Sequence, residues 1–177
     1  MRWPAASSRK AERSLNIAIE TFTRELAEEI IPLGQQSWDE CSEIKRDTCA
    51  YHGQRGLAID PDIDQFLYLQ DHQSLVTMTL RDAAGVLRGY ALLILYKSLH
   101  LRTELCGNVD TFYVQPDHRL SMWRFMSHIE DELHDRGVSI VGWPVTRDGK
   151  LYEILQRRGY IADDVVMELK LKDLPKE

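Results

Sequence analysis

Several side chains in this 177-residue chain are of types that do chemistry, and their spacing says what each could do. The acidic run Asp60, Asp62, Asp64 has the alternation of a calcium loop. Such a loop needs Gly at its sixth position and Glu at its twelfth, where this chain has Gln65 and Asp71. Carboxylates gathered at a helix N-terminus, where the helix dipole favours negative charge, account for the run better. Cys41, Cys49 and Cys106 are odd in number, widely spaced and without a Cys-x-x-Cys pair. Reduced, mostly buried thiols are expected, with no zinc site and no disulfide framework. Histidine is the residue type best suited to shuttling protons, but neither His100 nor His118 stands in a recognisable nucleophile set.

Composition narrows the class of function. With 44% apolar and 28% charged residues the chain has ordinary globular composition, enough for one domain with a real core. Twenty-two basic against 28 acidic side chains leave a net charge of -6, without the broad positive field on which non-specific nucleic-acid binding relies. No nucleic-acid partner is expected. No apolar run approaches the ~20 residues that span a bilayer, and Met1-Arg2-Trp3-Pro4 lacks the apolar core of a secretion signal, so a cytoplasmic protein is expected.

The elements that must position any site follow from periodicity. Residues 1–13 carry Arg2, Arg9, Lys10 and Arg13 against Glu12, show no apolar pattern, and read as a flexible arm that orders only on a partner. Leu15, Ile17 and Ile19 alternate as a first strand. Phe22, Leu26, Ile30 and Leu33 then recur at helical spacing, and Pro32, which lacks an amide hydrogen, should break or kink that helix before a second stretch through Trp38 and Ile44. Asp60 as N-cap and Pro61 in the first turn predict a helix over 61–70 with Ile63, Phe66 and Leu67 on one face.

Leu75 to Arg81 and Leu87 to Tyr96 form a hairpin about Asp82-Ala83-Ala84-Gly85. Val109 to Val114 is a strand stopped by Pro116. A helix over 119–136 carries Met122, Phe125, Ile129 and Leu133 on one face, with Trp38 and Trp123 also at apolar helix positions, and ends at Gly137. Val138 to Val141 is a short buried strand, followed by Trp143-Pro144. A helix over 150–158 ends at Gly159, and Val165, Met167, Leu169 and Leu171 alternate as a last strand. This order predicts an α/β (α+β) fold, a mixed central sheet with helices on both faces.

Two stretches carry a resemblance. Val109-Asp110-Thr111-Phe112-Tyr113-Val114-Gln115-Pro116-Asp117-His118-Arg119 resembles the fourth strand of the GNAT superfamily of N-acetyltransferases where it runs into the cofactor loop. Leu155-Gln156-Arg157-Arg158-Gly159-Tyr160 is similar to the superfamily's late Leu-Gly-Phe/Tyr element, and the element order matches from residue 14 to 171. The resemblance implies one GNAT-like domain over 14–177. Arg88-Gly89-Tyr90 and Leu99-His100-Leu101-Arg102, followed by Asp110 and Tyr113, further resemble GNAT-like proteins encoded by tailed bacteriophages. That narrower likeness implies a virion-associated protein, made in the host cytoplasm, with virion proteins or its own copies as partners.

The superfamily likeness implies acetyl-CoA as cofactor and a small-molecule or protein amine as acceptor. It places the diphosphate-binding loop at Arg119-Leu120-Ser121-Met122-Trp123-Arg124, where helix-terminal amides meet the phosphates and glycine permits their close approach. Arg119 fits that pattern, whereas Met122 and Arg124 stand where small residues belong. Two readings stay open: Arg119 and Arg124 supply charge in place of amide access, or Met122 and the Arg124 stem fill the groove and leave a catalytically degenerate scaffold. Phe112 and Val114 would offer backbone groups to the pantetheine arm. Asp110, of the same strand parity, is the implied base, with an ion pair or turn-side hydrogen bond as its other reading. The superfamily's tyrosine acid aligns with Leu155, so Tyr152, one turn earlier, is the candidate acid, with packing as the alternative. His118 falls just before the loop and reads as exposed.

Overall fold

The computed structural model describes residues 15–44, 58–145 and 149–162. The arm over 1–13, Cys49, the side chain of Cys41 and the last predicted strand lie outside the described residues. Contacts divide the chain into two compact units, one of the described residues up to Gly34 with Asp60–Trp143, the other of the described residues from Gln35 to Ile59 and from Pro144 onward.

The first unit is built on a five-stranded sheet in the order β1 (Asn16–Glu20), β2 (Leu75–Arg81), β3 (Leu87–Lys97), β4 (Leu105–Val114), β5 (Val138–Gly142). Neighbours β1 to β4 pair antiparallel, and β4 pairs with β5 in parallel. A parallel neighbour requires a crossover. Helix α3 (Met122–Asp135) supplies it, and Gly137 at φ +77° turns the chain out of the helix. The sheet buries apolar side chains on both faces. Phe125, Ile129 and Leu133 of α3 pack on Val76, Met78, Leu80, Ala91, Leu93, Val109 and Val114. On the other face Leu26, Ala27, Ile30 and Leu33 of α1 (Arg24–Ile44) pack on Leu75, Leu87, Tyr90, Leu92 and Tyr113, joined by Ile63, Phe66 and Leu67 of α2 (Ile63–Asp71). The mixed sheet with helices on both faces is therefore present.

Several local expectations are corrected. Pro32 lies inside α1 without ending it. Its missing N–H removes one bond of the ladder, while burial of Ile30 and Leu33 on either side of it keeps the turn in place. The cap of α2 is Asp62, whose carboxylate accepts the Gln65 amide at 3.0 Å, so this helix starts two residues later than Asp60 suggests. Asp64 pairs with Arg24. β4 begins at Leu105, because pairing with β3 carries it through Gly107 and Asn108, which have little strand preference of their own. A 3-10 turn, Pro116–Ser121, delays α3 from the expected Arg119 to Met122. Trp123 is 44% exposed, and the buried face of α3 is Phe125, Met126, Ile129 and Leu133.

The hairpin turn follows from its sequence. Asp82 Oδ1 accepts the amides of Ala84 at 2.9 Å and Val86 at 3.0 Å, and Gly85 takes φ +82°. Burial pushes the Asp82 carboxyl up, but Arg88 and those two amides outweigh it and hold the group below the usual aspartate range. In the second unit α4 (Lys150–Arg157) buries Leu155. It closes with the Gly159 amide on the Gln156 carbonyl and the Tyr160 amide on the Leu155 carbonyl, the bond pattern that an αL glycine allows.

Candidate functional site

The residues singled out on β4 lie where β4 and β5 part company. Along β3 and β4, Leu92 stands opposite Thr111 and Leu93 opposite Val109, which leaves Asp110 as an extra residue in β4. This is a β-bulge, and it breaks the side-chain alternation at that point. Val109, Phe112 and Val114 all face the α3 side of the sheet, whereas Tyr113 faces the α1 side. The shared parity of Asp110 with Phe112 and Val114 is thereby overturned. Asp110 is exposed, and its Oδ2 accepts the Thr111 hydroxyl at 3.1 Å.

The phase of the backbone ladder follows from one bond. The Gln115 amide donates to the Arg88 carbonyl at 2.9 Å. Alternation along an antiparallel pair then turns the N–H and C=O of Tyr113 toward β3 and those of Phe112 and Val114 toward the opposite edge. β5 pairs with β4 only from Leu105 to Asn108. From Val109 onward the outer edge of β4 has no strand partner among the described residues, so the backbone groups of Phe112 and the amide of Val114 face an open edge, while the Val114 carbonyl accepts from Arg119 Nε.

An aromatic cluster lies beside this edge. The Phe112 ring sits 5.6 Å from that of Phe125 and 5.3 Å, edge to face, from that of Trp143. In the sequence Trp143 is legible only as a residue following a strand. The bulge beside it does carry a sequence signal, the succession of two polar residues, Asp110 and Thr111, between apolar ones, which an unbroken alternation does not produce.

At the end of β4 the turn is more closed than an open anion cradle. The His118 amide bonds the Gln115 carbonyl at 2.9 Å and the Met122 amide bonds the Arg119 carbonyl. Met122 therefore offers no unpaired helix-terminal N–H, and Ser121, the N-cap, makes no side-chain capping bond. Ser121 is buried, Met122 half-buried and Leu120 exposed. Arg119 is exposed and directs Nε to the Val114 carbonyl at 3.4 Å. Arg124 extends from α3 to the Leu15 carbonyl at the start of the sheet.

The remaining candidates separate. Tyr152 is half-buried in the second unit, where its hydroxyl accepts from Gln156 Nε2 at 3.2 Å. Leu155 is buried. His118 is half-buried within the 3-10 turn, not an exposed loop histidine, because the turn folds back on the strand end. His100 is exposed in the β3–β4 connection, its amide on the Ser98 hydroxyl at 3.3 Å. Cys106 is buried on β4, as expected for a reduced thiol. Among the described residues no group of three or more His, Cys, Asp or Glu could hold a metal.

No protein-family model matches the chain, and no curated protein does. Solved structures do. A variant of the BH1408 protein of Bacillus halodurans superposes with a TM-score of 0.69 at 14% identity, over 88% of this chain and 99% of that one. A ribosomal-protein-alanine N-acetyltransferase of Brucella melitensis gives 0.60 at 18% identity over 89% and 98%. The aminoglycoside 6'-N-acetyltransferase AAC(6')-Ih of Acinetobacter baumannii gives 0.61 at 10% identity over 88% and 97%. The chain has the GNAT fold. At these identities the likeness is one of fold, and in the GNAT fold of this chain the bulged β4 and the short β5 are the features that leave a strand edge open.

Proposed function

We propose that this protein is a GNAT-type acyltransferase that uses acetyl-CoA to acetylate a primary amine. The observation that carries the reading is the outer edge of β4 past Asp110, where the backbone groups of Phe112 and Val114 face away from β3. An extended arm with two amides, such as pantetheine, is the kind of chain that such an edge holds by strand addition. Acetyl-CoA, when bound, supplies the activated acyl thioester. Arg119, held beside the Val114 carbonyl, lies near the end of that edge, where a guanidinium would meet the diphosphate. The Met122 amide is spent on the Arg119 carbonyl and is not available to the diphosphate, which leaves a larger share of that contact to side chains.

Asp110 is exposed at the bulge and would take the proton of an attacking amine, directly or through water. Tyr152 is the candidate to protonate the departing thiolate. Rate enhancement then comes from holding amine and thioester in line and from polarising the carbonyl with strand amides, without a covalent intermediate. A second reading is a GNAT-fold scaffold without catalysis, in the extreme a phage virion component. Two observations favour it: Arg124 is engaged with Leu15, and no glycine opens the turn at 119–124.

Calorimetric titration with acetyl-CoA at low and moderate salt separates the two. The acyltransferase reading expects binding in the range of about 1 μM to 1 mM. That binding should weaken as salt rises, because a guanidinium–phosphate contact is exposed to screening. No heat of binding at millimolar acetyl-CoA would overturn this reading in favour of the scaffold.

A further inference from the structure

We infer that Trp143, through its contact with Phe112, limits the length of the acyl group that the opening beside β4 accepts, an inference that rests on the acyl-transfer reading above. The last paired residues are Asn108 on β4 and Gly142 on β5. In plain register Trp143 would stand opposite Val109, yet its ring meets that of Phe112, further along β4. The indole therefore leans forward into the region where the strands diverge. Gly142 sets its starting point: a Cβ there would stand 3.2 Å from Asn108 Oδ1, so the glycine lets β5 stay close to β4 right up to Trp143.

Phe112 is also a residue whose backbone faces the open edge. A chain lying along that edge passes the Phe112–Trp143 pair. The Phe112 ring cannot retreat, because it rests on Phe125, which is 0% exposed in the core beneath α3. Trp143 is half-buried and its backbone lies beyond the end of β5. Of the two rings it is the one that a longer acyl chain would have to displace. An acetyl group ends one carbon past the thioester carbonyl and needs no such displacement, whereas each added methylene needs room the indole occupies. Trp143 is thus a specificity-determining residue for short acyl donors.

The test is a calorimetric titration of the full chain and its Trp143→Ala and Trp143→Phe variants with CoA, acetyl-CoA, butanoyl-CoA and octanoyl-CoA. The parent should prefer acetyl-CoA to octanoyl-CoA by about tenfold or more, the scale of selectivity that one or a few methylenes give in an apolar pocket. Trp143→Ala should raise the octanoyl-to-acetyl affinity ratio by about tenfold and leave CoA affinity within about threefold. If Trp143→Ala fails to fold, as judged by circular dichroism, Trp143→Phe carries the test: the smaller ring should raise the butanoyl-to-acetyl ratio by about threefold or more. Binding of CoA with no chain-length preference in the parent, or with a ratio that neither variant changes, overturns the inference and leaves the acyl-transfer reading standing. Failure of the parent to bind any of the four overturns both.

Discussion

Arg81 shows how one side chain can fasten several elements. Its guanidinium makes five hydrogen bonds, two to each of Glu20 and Glu29 and one to the Gly85 carbonyl, tying β1, α1 and the hairpin to β2. These bonds raise the Arg81 pKa beyond its ordinary range, so its contribution is not lost at any working pH. Arg81 in turn holds the Glu20 carboxyl below 4.5, against the opposing effect of burial and with help from the Thr79 hydroxyl. A depressed carboxyl stabilises the fold above its unfolded pKa and loses that contribution as pH falls through the folded one. Stability should therefore hold from neutrality to pH 4.5 and fall below it, with a shallower fall in Glu20→Gln, as read by thermal melts across pH. Arg81→Met, which strands two carboxylates, should cost about 2 kcal/mol or more in urea denaturation. Gly89 matters for a different reason. A Cβ there would stand 2.8 Å from the Tyr113 carbonyl oxygen and 3.2 Å from Val114 Cγ2. Because the nearer atom is backbone, Gly89→Ala must displace the end of β4, at about 1–3 kcal/mol. It should also weaken acetyl-CoA binding, which titration would show.

Among the elements, β4 carries the functional argument, and the bulge is what distinguishes it from an ordinary strand. Deleting Asp110 would leave Val109 and Phe112 on the α3 face with Thr111 between them, a regular alternation, so every buried side chain keeps its face. The deletion should therefore fold, with a melting temperature within about 5 °C of the parent. It should nonetheless lose acetyl-CoA binding, because the bulge bends the strand and opens its outer edge. Retained binding in the deletion would mean that the edge opens for some other reason. The bulge is only half legible in the sequence: the Asp110-Thr111 pair interrupts the alternation, but a loop or strand end gives the same local pattern. The turn after β4 is likewise only half legible. Helical periodicity from Arg119 is real, yet Pro116 starts a 3-10 segment whose i to i+3 bonds shift the α-helix start to Met122 and use up its amide.

At the scale of the molecule, α3 and the sheet share one tightly filled core in which Phe125, Met126 and Ile129 are each 0% exposed. Phe125→Ala should cost about 3–5 kcal/mol, a large part of the stability of a domain this size, measurable as a lower urea midpoint. Because Phe125 also supports Phe112, the variant should bind acetyl-CoA less well even where it remains folded. The order of the described strands and helices apart from the break expected at Pro32, the buried spacing of Leu26, Ile30 and Leu33 and of Phe125, Ile129 and Leu133, the glycines at 137 and 159 and the Asp82 turn were legible in the sequence itself. Each depends on neighbours within a few residues, through periodicity or capping, and such signals survive in a linear reading. What only the tertiary structure decided were contacts between distant positions: Arg81 with Glu20 across 61 residues, Arg124 with Leu15 across 109, and the Trp143 ring on Phe112. Periodicity states which face a side chain presents but not what it meets there. Arg124, which one reading of the sequence gives to a phosphate and the other to filling the groove, bonds a carbonyl that only the folded sheet brings within reach.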